Sequence, residues 1–222
     1  MSANLAVAVE IYREQPESGA GNGDAAEEPE PSDRQLERWA TTAFSAPCLV
    51  NLPRSLSGNT EVKLSIAILG PERMRALNRE FRNKDKTTNV LAFPSYQENE
   101  SQENESIPPS AELLLGDIIL CPEVINAEAQ SQQKKMEDHW AHMVVHGALH
   151  LLGYDHELQA DAEQMEDTES DLLATLGIPN PYQAMKYQDN RLDDQPDNQL
   201  DNQLDNPLDN QPDAGQINSR TP

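Results

Sequence analysis

Apolar and polar positions alternate most cleanly from Thr60 to Leu69. Val62, Leu64, Ile66 and Ile68 fall on one side and Glu61, Lys63 and Ser65 on the other, the period of a half-buried strand. Residues 4–12 are apolar and β-branched enough for an earlier strand. Between the two, Ser32 is placed as an N-cap for a helix from Asp33 to Phe44, with Leu36, Trp39, Ala40 and Ala43 on its inner side. Gly70 and Pro71 break the alternating strand, and Pro71 suits the first turn of a helix reaching Phe81. Val90 to Phe93 forms a short buried strand, stopped by Pro94. Leu113 to Cys121 is the most apolar strand, and Pro122 opens a helix to Gln133. A helix rich in histidine follows, then an acidic one from Gln159 to Leu176 that ends at Gly177-Ile178-Pro179. The order β-α-β-α-β-β-α-α-α predicts a small α+β or α/β domain. Its mixed sheet of about four strands packs with about five helices, the histidine helix central.

Composition redraws this picture at two places. The chain has 39 acidic and 16 basic residues and a net charge of −23. Residues 14–32 are acidic and rich in Gly and Pro, and the end from about Gln188 consists of near-repeats of Leu-Asp-Asn-Gln. Neither holds enough apolar surface to offset the entropy of ordering. The expected division is a first strand within 1–13, an acidic insertion at 14–32, the folded domain at 33–183 and an acidic tail at 184–222. Such a charge argues against a general nucleic-acid-binding surface. The exception is local: Arg73, Arg75, Arg79, Arg82, Lys84 and Lys86 cluster within fourteen positions. Cys48 and Cys121 lie in apolar surroundings and read as reduced core residues, in keeping with a cytoplasmic protein. No apolar run approaches the roughly 18 residues of a membrane span, and no leader is expected.

The chemistry is concentrated between His139 and Glu157, a stretch that contains all five histidines. Residues four apart on a helix lie about 40° apart around the axis and about 6 Å along it, so His146 and His150 share a face. Gly153 is placed to end the helix in a left-handed cap, and the turn through Tyr154 and Asp155 would return His156 to the same point. One histidine on an apolar helix is commonly a hydrogen-bonded core residue. Three at this spacing point to a first-row divalent ion, zinc above all, and three protein ligands leave a fourth position for water. His139 and His142 fit better as neighbours of the site than as ligands. Zinc proteases carry glutamate directly after the first ligand as general base; here that residue is Gly147, which removes the base. Arg82 is the candidate catalytic side chain, because its planar fork suits phosphate oxygens and a metal beside it would make a phosphodiester site. Asp117 is a candidate partner for an imidazole N–H. Asp155 is a candidate for orienting the ligand loop. Glu157 fits better as the start of the next helix than as a base.

The run His-Gly-Ala-Leu-His-Leu-Leu-Gly-Tyr-Asp-His closely resembles the signature of the YbeY family of bacterial endoribonucleases. So do Leu77-Asn78, Phe81-Arg82, Thr87 to Pro94, Leu115-Gly116-Asp117-Ile118 and Leu176-Gly177 with Pro181-Tyr182, in the family's order. The resemblance implies His146, His150 and His156 as the ligands of one zinc ion per chain and Arg82 as a functional arginine. It implies a single-strand-specific endoribonuclease of ribosomal RNA maturation, notably at the 3′ end of the small-subunit RNA, and of ribosome quality control. Its partners would be rRNA precursor, the small subunit and assembly factors. Asn89 departs from the family's usual Asp, and Cys121 stands where serine is common. From the residues alone two other readings stay open: a zinc amidohydrolase or peptidase using a distant acid, and a ribosome-assembly factor with structural zinc.

Overall fold

The computed structural model describes residues 6–14, 30–45, 61–95, 112–156 and 158–182. Four strands, β1 (Ala6–Arg13), β2 (Glu61–Ile68), β3 (Val90–Pro94) and β4 (Glu112–Leu120), alternate with α1 (Asp33–Thr42), α2 (Pro71–Arg82), α3 (Pro122–Ser131), α4 (Met136–Leu151) and α5 (Gln159–Thr175). The observed order matches the one predicted from the hydrophobic pattern. The expectations for most of 14–32, for Cys48 and for the tail from 184 fall outside the described residues. None of the described helices is long and apolar enough to cross a membrane.

The sheet runs β1-β2-β4-β3. β1 pairs parallel with β2, β2 parallel with β4, and β3 antiparallel with β4. Val62, Leu64, Ile66 and Ile68 all enter the main core, as period two requires. β4 keeps its inward face only by changing parity. Leu113 and Leu115 point in, and after a register shift so do Ile118 and Leu120. Gly116 sits at the switch with φ +139°, and a Cβ there would lie 2.1 Å from the Phe93 carbonyl oxygen. Glycine at this bulge lets β3 and β4 approach.

α4 lies against β3 and β4 and touches α1, α3 and α5. Every residue from His139 to Leu151 is buried, so this helix has no solvated side, as expected of a central element. Gln35 Nε2 donates to Glu137 at 3.0 Å and Trp140 Nε1 to Asn126 at 2.8 Å, which tie α4 to α1 and α3. On the other sheet face, Met74 of α2 packs with Leu91 and Cys121. Cys121 is a free, fully buried thiol pushed up to about 12, chiefly by burial.

Gly147 lets α4 sit close against the sheet. A Cβ there would lie 2.8 Å from Ile118 Cγ2 and 3.3 Å from Val90 Cγ2. The position where a zinc protease carries its base therefore has no room for a side chain. Overpacking a core costs about 1–3 kcal/mol, whereas alanine regains at most about 1 kcal/mol of helix propensity over glycine. Gly147→Ala should accordingly be less stable than the parent in chemical denaturation followed by circular dichroism. Equal or greater stability would mean that Ile118 and Val90 yield without cost.

Candidate metal centre

The turn after α4 builds the site. Tyr154 N donates to Leu149 O at 3.1 Å and Gly153 N to His150 O at 2.9 Å, the paired bonds of a Schellman ending. Gly153 has φ +85°, as its placement in the sequence predicted. The same turn offers the Tyr154 carbonyl oxygen to His150 Nδ1 at 2.9 Å. Two residues on it delivers His156, whose backbone N–H is accepted by Asp155 Oδ1 at 2.7 Å.

His146, His150 and His156 converge, with one ring nitrogen from each lying within 4.8 Å of the others. His146 Nδ1 is 2.6 Å from Glu169 Oε1. Both partners, the carboxylate and the Tyr154 carbonyl, are acceptors, so the proton of each ring is assigned to Nδ1. The two Nε2 atoms then present lone pairs to each other at 2.9 Å. His156 Nε2 is buried without a hydrogen-bond partner. Two facing lone pairs and a buried nitrogen lacking a donor are what a bound cation would satisfy, so the residues fit a metal. Burial, and then His146 and His156, hold His150 well below the usual imidazole range; burial and then His146 lower His156. Both shifts favour the neutral, ligating form.

The chain supplies one member of this site that the hydrophobic pattern had not singled out. Glu169 of α5 is fully buried, and its Oε2 lies 3.0 Å from His142 Nε2 and accepts the Tyr182 hydroxyl. Burial alone would raise its pKa. His146, together with hydrogen bonds from both imidazoles, outweighs that and holds the carboxyl below its usual range. The signal was legible: Met165, Glu169, Leu172 and Leu173 form one helical stripe, and a carboxylate in an apolar stripe needs buried partners.

The other expected residues are distributed as follows. His142, lowered chiefly by burial, neighbours the trio through Glu169 rather than joining it. His139 Nε2 lies 3.0 Å from Glu128 Oε2. Asn89 donates to both Glu128 oxygens at 3.2 and 3.0 Å and accepts from Val90 N. An aspartate at 89 would set a second carboxylate against Glu128, so the amide at this position matches its partner. Asp117 lies exposed on the face away from α4 and accepts from Ser65; Glu169 takes the role anticipated for it. Glu157 is outside the described residues. Arg82, the last residue of α2, is 5% exposed. Arg75 and Arg79 are exposed and share Asp85, which Arg75 grips through two bonds of 2.8 and 2.9 Å; exposed Arg73 reaches Glu14.

Two imidazoles on a buried helix and a third from the turn beyond it, set on a mixed sheet, define a candidate metal-binding α+β domain. Residues 26–177 match the family model described as Endoribonuclease YbeY. A protein of that name from Halorhodospira halophila is 50% identical over 121 residues, 54% of this chain and 75% of the relative. Another from Cellvibrio japonicus is 40% identical over 158 residues, 71% of this chain and 78% of the relative. The solution structure of TM1509 from Thermotoga maritima aligns at a TM-score of 0.43 and 20% identity, over 85% of this chain and 97% of that one. The chain belongs to the YbeY family.

Ligand linkage gives a direct check on the trio. Zinc at about 100 times its Kd stabilises by about 2.7 kcal/mol, which in a domain of this size raises Tm by roughly 5–10 °C. The metal-free parent should show that rise, and His150→Ala and His156→Ala should not. An equal rise in all three would place the ion elsewhere.

Proposed function

We propose that this protein is a zinc-dependent endoribonuclease that cuts single-stranded RNA during ribosomal RNA processing, notably at the 3′ end of the small-subunit RNA, and in ribosome quality control. One observation carries the proposal: in a family whose relatives are named endoribonucleases, three imidazole nitrogens converge, and the position after the first of them, where a zinc protease carries its glutamate, is Gly147. Zinc bound by His146, His150 and His156 would supply Lewis-acid chemistry, polarising a phosphoryl oxygen and lowering the pKa of water.

The remaining work falls to the chain itself. His150 and His146 are oriented from behind, through Tyr154 O and Glu169, so their Nε2 atoms stay directed into the site. Arg82 is assigned to the non-bridging phosphate oxygens, whose charge grows as phosphorus is attacked; its fork can hold two of them. The attacking oxygen is that of water or of the RNA's own 2′-hydroxyl. The acidic excess of the chain repels phosphate, so RNA approaches along the basic stretch from Arg73 to Lys86. The rRNA precursor, the small subunit and its assembly factors are the proposed partners, in the cytoplasm.

Two variants test this reading. His146→Ala should lose bound zinc and cleavage of a small-subunit RNA precursor together. Arg82→Lys keeps the charge but not the fork. It should retain about one zinc per chain yet cut at least about tenfold more slowly, a loss of about 1.4 kcal/mol of transition-state stabilisation. Full cleavage by zinc-free His146→Ala would refute the metal assignment, and loss of zinc from Arg82→Lys would make Arg82 structural. Casein and acyl amides assayed alongside should remain uncut.

A further inference from the structure

The three candidate ligands are not held alike. His150 is oriented by a backbone carbonyl that belongs to the helix ending itself. His146 is oriented by a side chain 23 residues away, Glu169 Oε1 at 2.6 Å. Glu169 is the one fully buried carboxylate among the described residues, and its two oxygens do different jobs. Oε1 faces His146. Oε2 accepts the Tyr182 hydroxyl and faces His142 Nε2 at 3.0 Å, with that nitrogen also 3.2 Å from the Tyr182 oxygen.

Tyr182 reaches this position by a defined path. After α5 ends at Thr175, the chain turns at Gly177, φ +78°, with Ile178 N returned to Leu173 O at 2.9 Å. Pro179 and Pro181 stiffen the continuation, and Tyr182 N donates to Asn180 Oδ1 at 2.8 Å. The phenol is thereby brought back against the flank of α5, its ring 5.6 Å from that of His142.

We propose that Glu169, clamped by Tyr182 and His142, is the positioning residue that sets the metal affinity of the histidine site, so that completion of the site depends on the segment that follows α5. This rests on the metal reading above. The physical reason is geometric. A carboxylate only accepts, so it fixes the His146 proton on Nδ1 and aims Nε2 inwards. A carboxylate with one oxygen unanchored can rotate about its last bonds and lose that aim. Tyr182 and His142 hold Oε2, which leaves Oε1 a single orientation.

The test uses the full-length protein, with zinc affinity read by competition against a chromophoric chelator and site geometry read from the visible spectrum of the cobalt-substituted protein. Glu169→Gln should weaken zinc binding about 10–100-fold. Tyr182→Phe, which removes one hydroxyl at the rim of the domain and leaves the ring, should fall between Glu169→Gln and the parent. Both should alter the cobalt spectrum while the far-ultraviolet circular dichroism stays that of the parent. Zinc affinities within about twofold of the parent in both variants, with an unchanged cobalt spectrum and with zinc lost from His150→Ala, would overturn the positioning role and leave the metal reading standing. A lowered thermal midpoint of the metal-free variants, with zinc affinity and cobalt spectrum unchanged, would overturn it equally, because that is the mark of a purely structural contact. Equal zinc binding by the parent and His150→Ala would refute the metal reading, and this proposal with it.

Discussion

A helix with no solvated side carries four buried imidazoles, and the rest of the structure answers to that constraint. Each ring must find partners inside the protein, because a buried polar group without one costs about 1–3 kcal/mol. The neighbouring elements supply them in turn. α3 brings Glu128 to His139, α5 brings Glu169 to His142 and His146, and the helix's own ending brings the Tyr154 carbonyl to His150. What this arrangement does not satisfy within the trio is the set of nitrogens facing inward: the Nε2 atoms of His146 and His150 turned towards each other, and His156 Nε2 without a partner. The outer nitrogens of His146 and His150 are thus satisfied by the protein, and the inward nitrogens of the trio are those a cation would satisfy.

Packing sets the same helix in place. Gly147 allows α4 to settle onto Ile118 and Val90, and the bulge at Gly116 turns Ile118 towards it by changing the parity of β4. The absence of a side chain at 147 serves two ends at once. It brings the helix close to the sheet, and it removes the position from which a zinc protease's glutamate would act.

Much of this was legible in the chain. Period two at Val62, Leu64, Ile66 and Ile68, the prolines at 71 and 122, and the i, i+4, i+10 spacing of His146, His150 and His156 identified the elements and the converging trio. Local patterns of this kind are written in consecutive residues. Contacts across long separations are not. The placement of β4 between β2 and β3, the change of parity at Gly116 inside a largely apolar run, and the pairing of Asn89 with Glu128 39 residues away depend on tertiary packing. Glu169 lay in between: its apolar stripe marked it as buried, but nothing local named His142 and His146 as the groups it meets. Asp117 was a candidate for that role because it stands in an apolar strand beside a glycine, and the bulge at that glycine is what turns it to the outer face.

The central claim is that three imidazole nitrogens share one ion and leave one corner of its shell to solvent. X-ray absorption at the zinc edge of the purified full-length protein addresses it most directly. About one zinc per chain is expected in a four-coordinate shell, three imidazole nitrogens and one further light atom, with bonds of about 2.0–2.1 Å. A zinc–sulfur distance near about 2.3 Å, a shell closed by four protein ligands, or a protein that holds no zinc at all would contradict it.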